Sequence, residues 1–185
     1  MKPFHCAFYV GVILVGSGCS HRSSEEWGPA DIGCTNNLYK IAILLRQSIP
    51  VEPNYPSNLV ALSLLASNGD VFICPATGHK VGEMQQLETW SDYIYVGNLP
   101  DLFQDPRIPL LICPPEHHRG EYGFIVTLDR KCERLPAPDI RKLIAAPWNL
   151  ATSATSNEIS YLKARVVVQV PKGLRTTYPD AYRSP

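Results

Sequence analysis

The sequence predicts a mixed α+β domain, and three observations carry that expectation. The triplet Thr35-Asn36-Asn37 stands before apolar residues at Leu38, Ile41, Ala42, Leu45 and Ile49, the spacing of one helical face closed by Pro50. Between residues 70 and 135 the chain breaks into short apolar runs bounded by Gly, Pro or Asn, the pattern of strands. A length of 185 residues, 45% of them hydrophobic, is enough for one domain with its own core.

Taken in order, the chain opens as an address. Lys2 precedes an almost wholly apolar run from 6 to 15, too short to span a bilayer comfortably, which ends in small residues before Cys19. Residues 1–18 read as a signal peptide and Cys19 as the lipidated first residue of the mature chain. Gly16 departs from the larger residue usual at that place, and an ordinary secretory cleavage nearby is the plainer alternative. Residues 19–33, with Gly28-Pro29, read as a polar tether that buries nothing. The first helix is expected from residue 35 to 49, and a short second one over 58–67. Strands are expected over 70–74, 92–96, 109–113, 123–128 and 131–135, and a helix over 138–146 with Ile140, Leu143 and Ile144 facing inward. Residues 149–160, rich in Ser, Thr, Ala and Asn, read as a linker. The alternation Leu162, Ala164, Val166, Val168, Val170 reads as a final strand within a tail over 161–185.

Charge removes one class of function. Seventeen basic residues balance seventeen acidic ones without a basic run, so nothing marks a nucleic-acid or acidic-membrane surface. The cysteines are more informative. With Cys6 in the signal and Cys19 on lipid, Cys34, Cys74, Cys113 and Cys132 remain, an even number in a chain expected in an oxidising compartment. Two segments also resemble each other: Cys74-Pro75 and Cys113-Pro114 are each followed by a histidine five positions after the cysteine, His79 and His118. Thiolates and imidazoles are zinc ligands, so Cys74, His79, Cys113 and His118 form one candidate tetrahedral site. A Cys74 to Cys113 disulfide and free structural cysteines are the competing readings.

Two catalytic readings of residues 111–121 are weaker on chemical grounds. Cys113 and Arg119 have the Cys-x5-Arg spacing of a phosphatase, but that chemistry needs backbone N–H groups around the oxyanion, and Pro114 and Pro115 have none. Glu116, His117, His118 and Asp129 could build an open metal-hydrolase site only from an irregular loop, since adjacent histidines in a strand point to opposite faces. A polar turn, with His117 in solvent, is the plain alternative.

The order of several motifs resembles a known family. Cys34-Thr35-Asn36-Asn37-Leu38-Tyr39-Lys40-Ile41 followed by Tyr55-Pro56 is similar to a segment of bacterial pseudopilin-like proteins of the type II secretion G-like kind. Val71-Phe72-Ile73-Cys74-Pro75 and Trp90-Ser91-Asp92-Tyr93-Ile94-Tyr95 resemble the strands that follow there. Residues 113–118 and 124–129 fall where that family has a histidine, nine residues and Asp-Gly-His-Val. Here ten residues separate His118 from Asp129, and Arg130-Lys131-Cys132 replaces Gly-His-Val, which predicts a looser turn because Arg does not favour positive φ. The long N-terminal filament helix of the family is missing. The resemblance, over about residues 34–147, implies a truncated pilin-like head: a helix on a small antiparallel sheet, with a further C-terminal helix and strand.

The resulting expectation is an exported, lipid-anchored envelope protein, with residues 34–148 as its head domain. It has a structural or binding role, no catalysis and no cofactor, and it meets the membrane through Cys19 and an envelope or secretion-system protein as partner. The alternative is a zinc-binding module or metal-dependent hydrolase built on the two Cys-Pro-x3-His segments.

Overall fold

The computed structural model describes residues 27–48, 55–99, 107–150, 155–179 and 181. The expected signal peptide, Cys19 and residues 20–26 of the expected tether lie outside them. The class is mixed α+β, with one five-stranded antiparallel sheet in the order β4-β3-β2-β1-β5: β1 Ile94–Gly97, β2 Pro109–Cys113, β3 Tyr122–Thr127, β4 Cys132–Pro136 and β5 Val167–Gln169. The first four strands form a meander, and β5 returns to pair with β1 through Val96 and Val168. No helix among the described residues is long and apolar enough to cross a membrane.

Helix α1, Pro29–Ser48, lies on the sheet. It begins six residues before the expected start, because Pro29 is suited to a first helical turn and Asp31 accepts a bond from the Gly28 amide at 3.1 Å. Its buried face is Asp31, Cys34, Leu38, Ile41, Ala42 and Leu45, one stripe at helical spacing. Burial of Leu38, Ile41 and Leu45 contributes roughly 1.5–3 kcal/mol each. The stretch read as a tether therefore carries the first turn of the domain, and Trp27 ahead of it stacks edge-on against Phe124 with ring centroids 5.4 Å apart.

On β3, Tyr122 and Phe124 face α1, while Gly123 between them faces the other way, towards Ile140 of α3, Ala137–Ala145. Two close approaches need glycine. A Cβ on Gly33 would sit 2.8 Å from the Pro75 ring, and one on Gly123 would sit 2.4 Å from the Cys113 carbonyl oxygen. Both lie beside the cysteine-bearing end of the sheet, so backbone there is drawn in tightly.

Three expectations change. Residues 70–74 do not form a strand: Asp70–Phe72 is a 3-10 turn, and the segment is tied to the residues just before β1 by isolated bonds instead of a ladder, among them the Asp92 amide to the Phe72 carbonyl at 3.0 Å and the Tyr93 hydroxyl to the Ile73 carbonyl at 3.2 Å. Residues 149–160 are not all linker. Thr155 and Glu158 form a reciprocal capping box that starts α4, Ser156–Arg165, and this leaves only Val167–Gln169 as strand. The β3–β4 turn is tight rather than loose. Arg130 itself takes φ +65°, its amide bonds the Thr127 carbonyl at 2.8 Å, and Lys131 pairs with Asp129 at 2.8 Å. Helix α2, Leu87–Trp90, is a single turn ahead of β1.

Candidate metal centre

Four donors converge at the end of the sheet where β2 stops and β3 begins. Cys34 comes from the second turn of α1, Cys74 from the loop after the 70–72 turn, Cys113 from the last position of β2, and His118 from the 3-10 turn Pro115–His118. Their three sulfurs and one ring nitrogen all lie within 4.8 Å of one another, and the residues are 0 to 4% exposed. His118 Nε2 is 3.4 Å from Cys113 Sγ and 3.7 Å from Cys74 Sγ. A zinc ion with bonds of about 2.3 Å to sulfur and about 2.05 Å to nitrogen at tetrahedral angles requires S···N separations of roughly 3.6 Å. The donor set fits that ion in identity and number, and the two S···N separations bracket the tetrahedral value.

Each donor is oriented by its surroundings. The Cys74 amide donates to Asp92 Oδ2 at 2.9 Å, and Thr77 donates to the Cys74 carbonyl at 2.9 Å, which closes the loop around the cysteine. Pro115 opens the turn that carries His118. Arg119 and Gly120 end it at φ +60° and +78°, and the Gly120 amide bonds the Pro115 carbonyl at 2.8 Å. His118 Nδ1 lies 3.2 Å from Asp31 Oδ1, within ion-pair distance, and the opposite ring nitrogen, Nε2, faces the thiols. Asp31 in turn accepts from the Tyr122 hydroxyl at 3.0 and 3.1 Å. A carboxylate behind a ligating imidazole is the usual outer support of a metal site, because it fixes the tautomer and makes the ring more basic.

The thiols are not equivalent. Cys113 is held well above the ordinary thiol range by burial. Cys74 is driven well below it, because the Cys113 and Cys34 thiols donate to its sulfur, with His117 and His118 adding to the effect. Cys34 is raised: the Cys113 bond pulls it down, but its bond to Cys74 and its burial outweigh that pull. A cation bound by these sulfurs takes the place of their S–H protons.

The structure brings together Cys74, Cys113 and His118 of the candidate zinc set, and Cys34 stands where His79 was expected. In the first Cys-Pro-x3-His copy, Gly78 at φ +67° turns the chain outward, and His79 Nδ1 bonds Asp92 Oδ1 at 2.7 Å with its side chain largely exposed. In the second copy the 3-10 turn rotates His118 inward. Cys74 and Cys113 are free thiols and not the disulfide considered above, as are Cys34 and Cys132. Cys132 sits apart on β4, its thiol pushed up to about 12 by burial.

The hydrolase and phosphatase constellations do not assemble. Glu116 is taken by Arg141 at 3.2 Å and by the Tyr178 hydroxyl, so it clasps α3 and the C-terminal tail. Asp129 lies beyond the far end of β3, about 20 Å along a six-residue strand, and is bonded into its own turn. Arg119 is exposed, while Cys113 is fully buried. His117 is half-buried rather than free in solvent, with Nδ1 3.6 Å from Cys113 Sγ.

A helix counted from Thr35 leaves Cys34 and Asp31 outside it. Placed inside it, Cys34 falls one turn before Leu38 on the same apolar stripe, a signal present in the sequence. Tyr122 offered no such signal. No family model, curated protein or solved structure matches this chain.

Proposed function

We propose that this chain is an exported, lipid-anchored binding domain of the bacterial envelope, non-catalytic, whose fold is fastened by one zinc ion on Cys34, Cys74, Cys113 and His118. The observation that carries the zinc reading is the convergence of four buried donors from three stretches of the chain, around residues 34, 74 and 113–118. When bound, the ion supplies a cross-link. A closed set of four protein ligands leaves no position for water or substrate, which is the arrangement of a structural site and not of a hydrolytic one. Ligation also suits a chain expected outside the cytoplasm, since thiolates committed to zinc are withheld from disulfide exchange.

We propose that the domain is a pilin-like head; this rests on the sequence resemblance, and a long helix laid on an antiparallel meander supports it. Cys19 and the residues after it would hold this head at the membrane, where its loops meet a protein partner. The proposal is tested on the full exported chain by intact mass, native and then denatured without reductant. Retention of one zinc mass that disappears on denaturation is the expected result. A cystine-sized loss of two hydrogens with no metal would remove the zinc reading. Unchanged fatty-acid labelling in Cys19→Ser would remove the anchor.

A further inference from the structure

The three cysteines are fully buried and His118 is 4% exposed, so an ion must reach the sulfurs past a neighbouring side chain. Beside them lies an open cavity of about 440 Å3, whose walls include His79, Lys80, Trp90, Asp92, His117 and Leu174. Among the described residues that bond the three sulfurs, His117 is the one that also lines this cavity. It faces Cys113 on one side and open space on the other.

His79 stands across the cavity, its ring centroid 6.4 Å from that of His117. Asp92 is 3% exposed and joins the two places: Oδ1 holds His79 Nδ1, which leaves Nε2 available, while Oδ2 holds the amide of Cys74. Thr77 bonds the same oxygen at 2.7 Å, so the carboxylate is fixed from three directions. A carboxylate-backed imidazole at the mouth and a second imidazole touching the thiols are donors of the class that binds zinc, spaced within one ring's movement of each other. The buried negative charge of Asp92 offsets Lys80 on the same wall.

We infer that His79 and His117 form a transient binding site for a borderline-soft divalent cation, through which the ion enters and leaves the buried centre. The ion is held first at the cavity mouth by His79, is passed to His117, and is then captured by the sulfurs as their protons go to solvent. This rests on the zinc reading, and it concerns rates where that reading concerns equilibrium. A residue that serves only in passage changes loading and release by the same factor and leaves affinity alone.

The test follows Co2+ uptake by the metal-free full chain through thiolate-to-cobalt absorption, and zinc release from the loaded chain into a coloured chelator. The wild type is compared with His79→Ala/His117→Ala and with His79→Gln, whose exposed position protects the fold. Loading and release each slowed on the order of tenfold in the double variant, with one ion still bound at unchanged affinity, is the expected result. A smaller slowing of both is expected in His79→Gln. Unchanged rates with one ion bound would overturn the passage and leave the zinc centre standing. Weakened equilibrium affinity would make His117 a ligand or a support instead. No metal on the wild type would overturn both readings.

Discussion

The two ends of β3 are held in opposite ways. At its final residue the turn is made by neighbours in sequence: the Thr127 amide bonds the Lys131 carbonyl at 3.1 Å, Arg130 bonds Thr127, and Asp129 takes the Thr127 hydroxyl and the Lys131 ammonium. At its first residue the partners are remote. Tyr122 reaches Asp31, 91 positions away, and Asp31 holds His118 over Cys34, Cys74 and Cys113. Local bonds close a short loop at small entropic cost, whereas distant segments must repay a larger one, so a cross-link has most effect at the cysteine end. One strand thus joins a self-sufficient hairpin to an end that depends on what its donors bind.

Metal removal is the strongest way to break this comparison. In zinc-finger peptides a structural zinc contributes on the order of 10–16 kcal/mol of apparent binding energy, but this domain keeps a core of its own, so a loss of several kcal/mol is expected on chelation. At about 2–4 °C per kcal/mol for a chain of this size, melting should fall by roughly 10 °C or more. Hydrogen exchange should localise the change: amides at Cys74, Cys113 and Tyr122 lose protection early, while Val126 and Lys131 keep theirs. Equal loss at both ends would show that the centre holds the whole sheet, and no loss at either would end its structural role. Cys74→Ser should reproduce the chelated state in the absence of chelator.

The next test sharpens the contribution of the outer groups. Asp31→Asn keeps the side chain's shape and removes its charge from behind His118. Zinc affinity should fall by about 10- to 100-fold, equivalent to about 1.4–2.7 kcal/mol. Tyr122→Phe, which removes one donor to Asp31, should cost less, and competition against a chelator of known affinity measures both. A change below twofold in Asp31→Asn would reduce Asp31 to a cap on the first turn of α1.

The same contrast explains what could be read from the sequence. Strands β2, β3 and β4 and helix α3 emerge within a residue or two, because each is a short run or a helical pattern bounded by its own turn signals. The capping box of Thr155 and Glu158 is equally local, but it lies in a stretch whose Ser, Thr, Ala and Asn content reads as a linker. The cysteine end was legible only in part. The repeated Cys-Pro-x3-His spacing drew attention to Cys74, Cys113 and His118, but spacing cannot show that a Gly78 turn sends one histidine out and a 3-10 turn brings the other in. Parity of cysteines suggested pairs, whereas the fold groups three with an imidazole and leaves Cys132 alone.

The smallest effect belongs to the hairpin. Arg130 sits at φ +65°, a conformation that glycine reaches without the steric cost a side chain incurs there. Arg130→Gly relieves that cost, while the added freedom of glycine in the unfolded chain takes part of the gain back, so a net stabilisation of about 0.5–1 kcal/mol is expected, or about 2 °C in melting. Because this turn is built from five consecutive residues, the gain should be the same with and without zinc. Melting of the variant and the parent in both states forms a double cycle, and a coupling above about 0.5 kcal/mol would show that β3 transmits strain from one end to the other. Equal gains would establish that the hairpin closes on its own and that the dependence on metal stops short of Thr127.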